Sequence, residues 1–219
     1  MSRRSESAGG APRPTRRRGP RRCVDPVALT DAYGTDAVRW WLLRDVPRVG
    51  DADFTPERLT ARADADFAGG LGNLVHRVVT MVHRYRAGRV PAPSGVEPAV
   101  APLEDVCRRV PGRIDAALED YDFRRAVRAA WEIVEAANRC VDTTRPWELA
   151  RAEGCGDGAA GGRLDDVLAA LVSACRLLAD ELAPFVPGAA ARISEQVGPS
   201  ANGTLPPASP LFTQLREGG

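Results

Sequence analysis

Leu164 to Leu182 reads LDDVLAALVSACRLLADEL, with apolar residues at Leu164, Val167, Leu168, Leu171, Cys175, Leu178 and Leu182. Steps of three and four put all seven on one side of a 3.6-residue helix, so the segment predicts an amphipathic helix that Pro184 closes. The same rhythm recurs upstream. Phe123, Ala126, Val127, Ala130, Val134, Ala137 and Val141 form a second stripe behind an Asp122 cap, and Leu71, Leu74, Val75, Val78, Met81 and Val82 a third. Apolar stripes at this spacing bury themselves against one another, and no segment alternates with period two. The expected fold is therefore all-α, an antiparallel helix bundle.

The connecting segments follow from turn and cap chemistry. Asp25-Pro26 opens a short helix that Gly34 ends, and Thr35 or Asp36 caps the next one, DAVRWWLLRDV. Asp53 to Ala87 reads as one long helix opened by Thr55-Pro56-Glu57-Arg58. Its Gly69, Gly70 and Gly72 cost helix propensity, which points to close helix approach or a local break, with close packing expected. Arg89 to Pro102 reads as a surface connection, and Leu103 to Glu119 as a helix kinked or split at Pro111. Thr144 to Ala152 is a short helix, Glu153 to Gly162 a mobile glycine-rich loop, and Phe185 to Val197 a terminal helix. Residues 1–22 and 198–219 read as disordered tails, because Ser, Gly, Pro and Arg without apolar period cannot offset ordering entropy.

With 219 residues and 44% apolar content the chain can bury one good core. All thirty basic residues are arginine, which excludes P-loop and Schiff-base lysine chemistry. The net charge of +1 is unevenly spread: residues 1–22 hold eight arginines against Glu6, leaving about −6 for the rest. An acidic body binds nucleic acid only if its arginines gather on one face, or if the tail supplies charge. Cys23, Cys107, Cys140, Cys155 and Cys175 form no CxxC or Cys/His pair, so neither a zinc site nor a disulfide framework is expected, and Cys140 and Cys175 read as buried apolar residues. Without a membrane-length apolar run or secretory signal, the expectation is a soluble cytoplasmic protein.

A search for enzyme chemistry returns little. No GxGxxG, Walker motif, HExxH or serine triad is present. His76 and His83 lie seven apart on one helix without further ligands, and Asp64 and Asp66 read as ordinary surface charge. No catalytic residue, metal ligand or cofactor site is assigned.

Three strings are more specific: VDPVALTDAYGTDAVRWWLLRDVP at Val24–Pro47, LGNLVHR at Leu71–Arg77, and ANRCVDTTRPWELA at Ala137–Ala150. Together they resemble methionyl-tRNA synthetase, a class I aminoacyl-tRNA synthetase, from just after its KMSKS loop onward. The resemblance covers nearly all of residues 23–197 and implies a helix bundle of the class I anticodon-binding type. It divides the chain into the Arg-rich tail 1–22, a stem-contact-like junction 23–52, the anticodon-binding-like bundle 53–197 and the tail 198–219. It implies tRNA contact by Asn73, Arg77 and Trp147, while Asn138, Arg139 and Pro146, with Asp142, would hold the turn that presents Trp147. The physics agrees. Residues i and i+4 share a helix face, an amide both donates to and accepts from a base edge, and indole gives an unstacked base a platform worth about 1–3 kcal/mol.

Each residue also has a structural reading. Asn73 could cap or pair across helices, Arg77 could be a surface ion-pair residue, and Trp147 could close a bundle end. Where the family shows NADLxNxLGN this chain has DADFAGGLGN, which places Asp64 and Gly69 where asparagines stand. The HIGH motif is absent, and Thr15-Arg16-Arg17-Arg18-Gly19 falls where KMSKS would be. The expectation is thus a stand-alone domain without aminoacylation of its own, binding tRNA with a CAU anticodon or serving a separate catalytic subunit. Arg16, Arg17, Arg18, Arg21 and Arg22 would contact phosphates. The alternative is a degenerate paralogue acting as a docking or structural subunit of an amino-acid-activating enzyme in specialised metabolism.

Overall fold

A computed structural model of the chain describes residues 25–47, 50 and 52–215. The expected tail at 1–22, with its five phosphate-contact arginines, lies outside the described residues. The others form helices α1 (Pro26–Tyr33), α2 (Thr35–Asp45), α3 (Pro56–Ala63), α4 (Asn73–Arg86), α5 (Ala101–Glu119), α6 (Phe123–Thr144), α7 (Pro146–Gly154), α8 (Gly158–Leu182) and α9 (Pro187–Val197). A π-helical stretch, Asp64–Gly72, joins α3 to α4, and a 3₁₀ turn, Pro98–Val100, precedes α5. The described residues contain no strand, so the fold is all-helical, as the apolar periodicity implied. None of the helices is long and apolar enough to cross a membrane.

The stripes read from the sequence make the core, with one correction: Phe123, expected in the second stripe, is 47% exposed at the start of α6. Leu164, Val167, Leu168, Leu171, Cys175 and Leu178 of α8 are fully buried against Val127, Ala130, Ile133, Ala137 and Val141 of α6 and Leu74, Val75, Val78 and Val82 of α4. α5 and α6 form a hairpin, and α8 packs on α4, α5, α6, α7 and α9. Caps set the helix starts: Asp25 accepts from the Val27 N–H, Thr55 from Arg58 and Asp122 from Arg125. Gly34, at φ 83°, ends α1 and starts α2 within one residue.

Several expectations need correction. Neither Thr35 nor Asp36 caps its own helix. Asp36 instead accepts from the backbone N–H groups of Gly188 and Ala189, at 3.4 and 2.5 Å, and so caps α9 from a distance. α5 is not split at Pro111 but continues through it to Glu119. Glu153–Gly162 is not a mobile loop: α7 reaches Gly154 and α8 starts at Gly158. Gly161 is buried beneath the Glu153 carboxylate, which a Cβ would meet at 2.6 Å. Residues 198–215 are not a disordered tail but a strap folded back on the bundle. Leu205 is buried and its N–H donates to the Gly88 carbonyl. Gln196 donates to the carbonyls of Pro206 and Pro207 and accepts from Ser209, while Phe212 stacks on Phe67 at 5.2 Å.

Asp64 and Asp66 are likewise not ordinary surface charge. Asp66 is buried, accepts from Trp40 Nε1 at 2.8 Å and lies 3.4 Å from Arg44 and 3.9 Å from Arg62. Asp64 accepts from the Leu215 N–H at 2.8 Å. A burial pattern from distant segments overrides what two acids in a helical run suggest locally.

The glycine cluster does mark close approach. A Cβ on Gly70 would lie 2.9 Å from the Trp131 ring, and one on Gly72 2.8 Å from both Phe212 and the Phe67 carbonyl. The helix passes this point in π form, a geometry common at functional sites.

Candidate nucleic-acid interface

α4 leaves the π-helical stretch without a break. Gly72 is already helical, at φ −65° and ψ −42°, so Asn73 is an interior helical residue and not a cap. Leu74, Val75 and Val78 turn inward and are fully buried; Asn73 is exposed and Arg77 half-buried. Among the described residues the Asn73 amide makes no side-chain hydrogen bond and Arg77 neither a hydrogen bond nor an ion pair. The structural readings of both residues therefore find no support in the contacts around them. One helical turn, about 6 Å of rise, separates two uncommitted polar groups on one face.

Trp147 is presented by an abrupt helix-to-helix turn. Arg145, left-handed at φ 44° and ψ 67°, ends α6 and begins α7. Its N–H donates to Val141, and its carbonyl accepts from Glu148. Pro146 and Leu149 face inward, which turns the intervening Trp147 outward at 42% exposure. Of the expected supports, Pro146 occupies the turn at the first helical position. The side chains of the other expected supports make no hydrogen bond or ion pair to the turn among the described residues. Asn138 donates back to the Val134 carbonyl, and exposed Arg139 lies 3.8 Å from Glu135. Asp142 is exposed.

The helices carrying these residues are tied by Arg86 near the end of α4. Its guanidinium donates to Glu153 of α7 at 3.1 Å, to Asp165 of α8 at 2.5 Å and to the Gly161 carbonyl at 3.1 Å. Burial lowers the guanidinium pKa, but the two carboxylates outweigh it and raise the value. No hydrogen bond or ring contact among the described residues joins Trp147 to Asn73 or Arg77.

Beside Asn73 the strap builds one wall of a groove of about 230 Å³, lined by Ala68, Gly72, His76, Pro210, Leu211 and Phe212. The strap's part was missed in the sequence. Its signal was Leu205, Leu211, Phe212 and Leu215 in a segment otherwise rich in proline and glycine. His83 holds the strap from below, its Nε2 2.9 Å from the Pro206 carbonyl, while His76 Nδ1 is buried without a partner. Neither histidine belongs to a cluster of three or more metal-ligand side chains among the described residues. The altered DADFAGG segment places no free carboxylate here, because both of its acids are engaged internally.

A family model described as tRNA synthetases class I (M) matches residues 18–79. The methionine–tRNA ligase of Caldanaerobacter subterraneus subsp. tengcongensis is 37% identical over 175 residues, covering 80% of this chain and 27% of that protein. That of Enterococcus faecalis is 36% identical over 176 residues, covering 80% and 26%. The apo crystal structure of Mycobacterium tuberculosis methionyl-tRNA synthetase matches with a TM-score of 0.81 at 29% identity, covering 89% of this chain and 42% of that one. The chain thus spans about a quarter of the length of these curated relatives.

Proposed function

We propose, from homology to the methionyl-tRNA synthetases over residues ~18–200, that this bundle binds tRNA and reads its anticodon with Asn73, Arg77 and Trp147. The observation that carries the reading is the state of those three side chains. An amide and a guanidinium without side-chain partners among the described residues share one helix face, and a half-exposed indole is held out by the Arg145 turn. Single-stranded loop bases suit such groups, the indole by stacking and the amide and guanidinium by hydrogen bonds to base edges. CAU is the anticodon that a methionine-type reader takes.

The described residues contain no strand and hence no nucleotide-binding sheet. In this reading they perform no aminoacylation alone and act with a synthetase catalytic domain, in the cytoplasm. Arg16, Arg17, Arg18, Arg21 and Arg22 add phosphate contacts. The relatives reported above are all methionine–tRNA ligases, and none favours a docking role in specialised metabolism.

Fluorescence anisotropy with anticodon stem-loops tests the reading. A CAU loop is expected to bind more tightly than a scrambled loop, and Trp147→Ala to weaken CAU binding by about 5- to 150-fold, the equivalent of about 1–3 kcal/mol of stacking. Equal affinity for both loops, or no loss in Trp147→Ala, would sink it.

A further inference from the structure

α4 stands apart electrostatically from the rest of the bundle. Residues 23–219 carry about −6 in sum, yet Asn73–Arg86, NLVHRVVTMVHRYR, holds three arginines, two histidines and no acid. Those arginines divide by face. Arg86 points at Glu153, Asp165 and Gly161 and is fully engaged. Arg77 and Arg84 share the opposite side. At 100° per residue, Asn73, Arg77, Thr80 and Arg84 fall within about 60° of one another. Asn73, Thr80 and Arg84 are exposed and Arg77 half-buried.

Arg84 makes no hydrogen bond or ion pair among the described residues. Its one recorded contact is with the ring of Tyr85, 5.7 Å from guanidinium carbon to ring centroid. Elsewhere on the surface Arg108, Arg113, Arg125, Arg139 and Arg145 each lie beside a carboxylate. The exposed helical arginines that, like Arg84, make no hydrogen bond or ion pair among the described residues, Arg109, Arg124, Arg128 and Arg151, sit on helices that also carry acids. The stripe from Asn73 to Arg84 covers about 16 Å at 1.5 Å per residue. It begins at the proposed base-reading amide and ends at an uncommitted cation.

We infer that Arg84 is a phosphate-binding residue, and that the stripe Asn73–Arg77–Thr80–Arg84 tracks the backbone of a single-stranded RNA loop whose bases are read at Asn73. The ligand class is a nucleic-acid phosphodiester. Guanidinium suits it because its planar fork can give two hydrogen bonds to one phosphate, while the Thr80 hydroxyl offers a neutral one. A phosphate contact carries no sequence information, so Arg84 acts on affinity and salt dependence alone. The inference rests on the tRNA-binding reading above.

The test is a salt titration of the full chain with CAU and scrambled anticodon stem-loops, comparing wild type with Arg84→Ala, Arg84→Lys, Arg128→Ala and Trp147→Ala. Circular dichroism confirms helicity, and Arg84→Gln replaces Arg84→Ala if the latter unfolds. Arg84→Ala is expected to weaken both loops by the same factor, about three- to tenfold. It should also flatten the slope of log affinity against log salt by about 0.7–1. Arg84→Lys should restore most of the affinity, and exposed Arg128 on α6 should be silent. If wild type binds neither loop, the tRNA reading falls and takes this inference with it. If Trp147→Ala weakens binding while Arg84→Ala leaves affinity and slope unchanged, this inference alone is overturned. It is also overturned if Arg128→Ala matches Arg84→Ala, or if only CAU binding is lost.

Discussion

Arg86 and Glu153 lie 3.1 Å apart across two helices that otherwise share little, and this contact fixes α7 against α4. Asp165 and the Gly161 carbonyl complete the clasp around the same guanidinium. Arg86→Met keeps the stem's apolar packing but leaves two acids without their cation and a carbonyl without its donor. Charge-assisted hydrogen bonds contribute about 1.5–3 kcal/mol each when well shielded. Glu153 is 38% exposed, so its share is discounted for solvent screening. A net loss of about 2 kcal/mol is expected, measured as a lower urea midpoint at unchanged slope. Anticodon affinity should fall too, though Arg86 faces away from the proposed RNA surface, because α7 carries Trp147.

Asp166 anchors the segment before α5. Its carboxylate accepts from the backbone N–H groups of Ser94, Gly95, Val96 and Glu97 and from the Ser94 hydroxyl. Burial pushes this carboxyl up, but the backbone donors outweigh that effect and hold it down at about 2. The folded value lies below the ordinary 3.8, so this stability is present above pH 4 and is lost as pH falls toward 2. The difference corresponds to about 2 kcal/mol. Acid titration followed by circular dichroism should show a steeper loss below pH 4 in wild type than in Asp166→Asn. The variant should be less stable at pH 7 by a similar amount.

The sequence exposed the helices because their stripes are periodic, and helix-facing burial is local information. It offered Asn73, Arg77 and Trp147 as candidates through short strings. It hid what depends on distant partners. Asp66 looks solvated until α2 brings Trp40 and Arg44 to it, and Gly161 looks like loop until Glu153 fills the space above it. The strap escaped notice because its apolar residues follow the π-helical groove and not a period of their own. Arg84 was unremarkable for the same reason: only the structure shows which arginines lack carboxylates.

Asp66 should be among the least replaceable polar residues. It is 7% exposed, and it satisfies the Trp40 indole N–H while facing Arg44. Asp66→Ala strands a buried donor and leaves Arg44, itself mostly covered, without its counter-charge. Removing one partner from such a pair costs about 3–5 kcal/mol. Thermal unfolding should shift accordingly, and loss of the hydrogen bond should alter the fluorescence of Trp40. Asp66→Asn, which can still accept from the indole, should cost less. Equal losses in the two variants would show that the carboxylate's charge, and not its acceptor oxygen, dominates.

Gly72→Ala separates two effects of opposite sign at one atom. In an open helix the added methyl would stabilise by about 1 kcal/mol through helix propensity. Here the new Cβ would sit 2.8 Å from the Phe212 ring and 2.8 Å from the Phe67 carbonyl. Phe212 can retreat, since it belongs to the strap, but the backbone carbonyl yields only by distorting the π-helical stretch. Overpacking of this kind costs about 1–3 kcal/mol, so net destabilisation is expected. The strap is the cheapest thing to move, and the damage should appear there first. Limited proteolysis should cut between Leu205 and Leu215 faster in Gly72→Ala than in wild type. Gly112→Ala, in open space on α5, should instead raise the melting temperature.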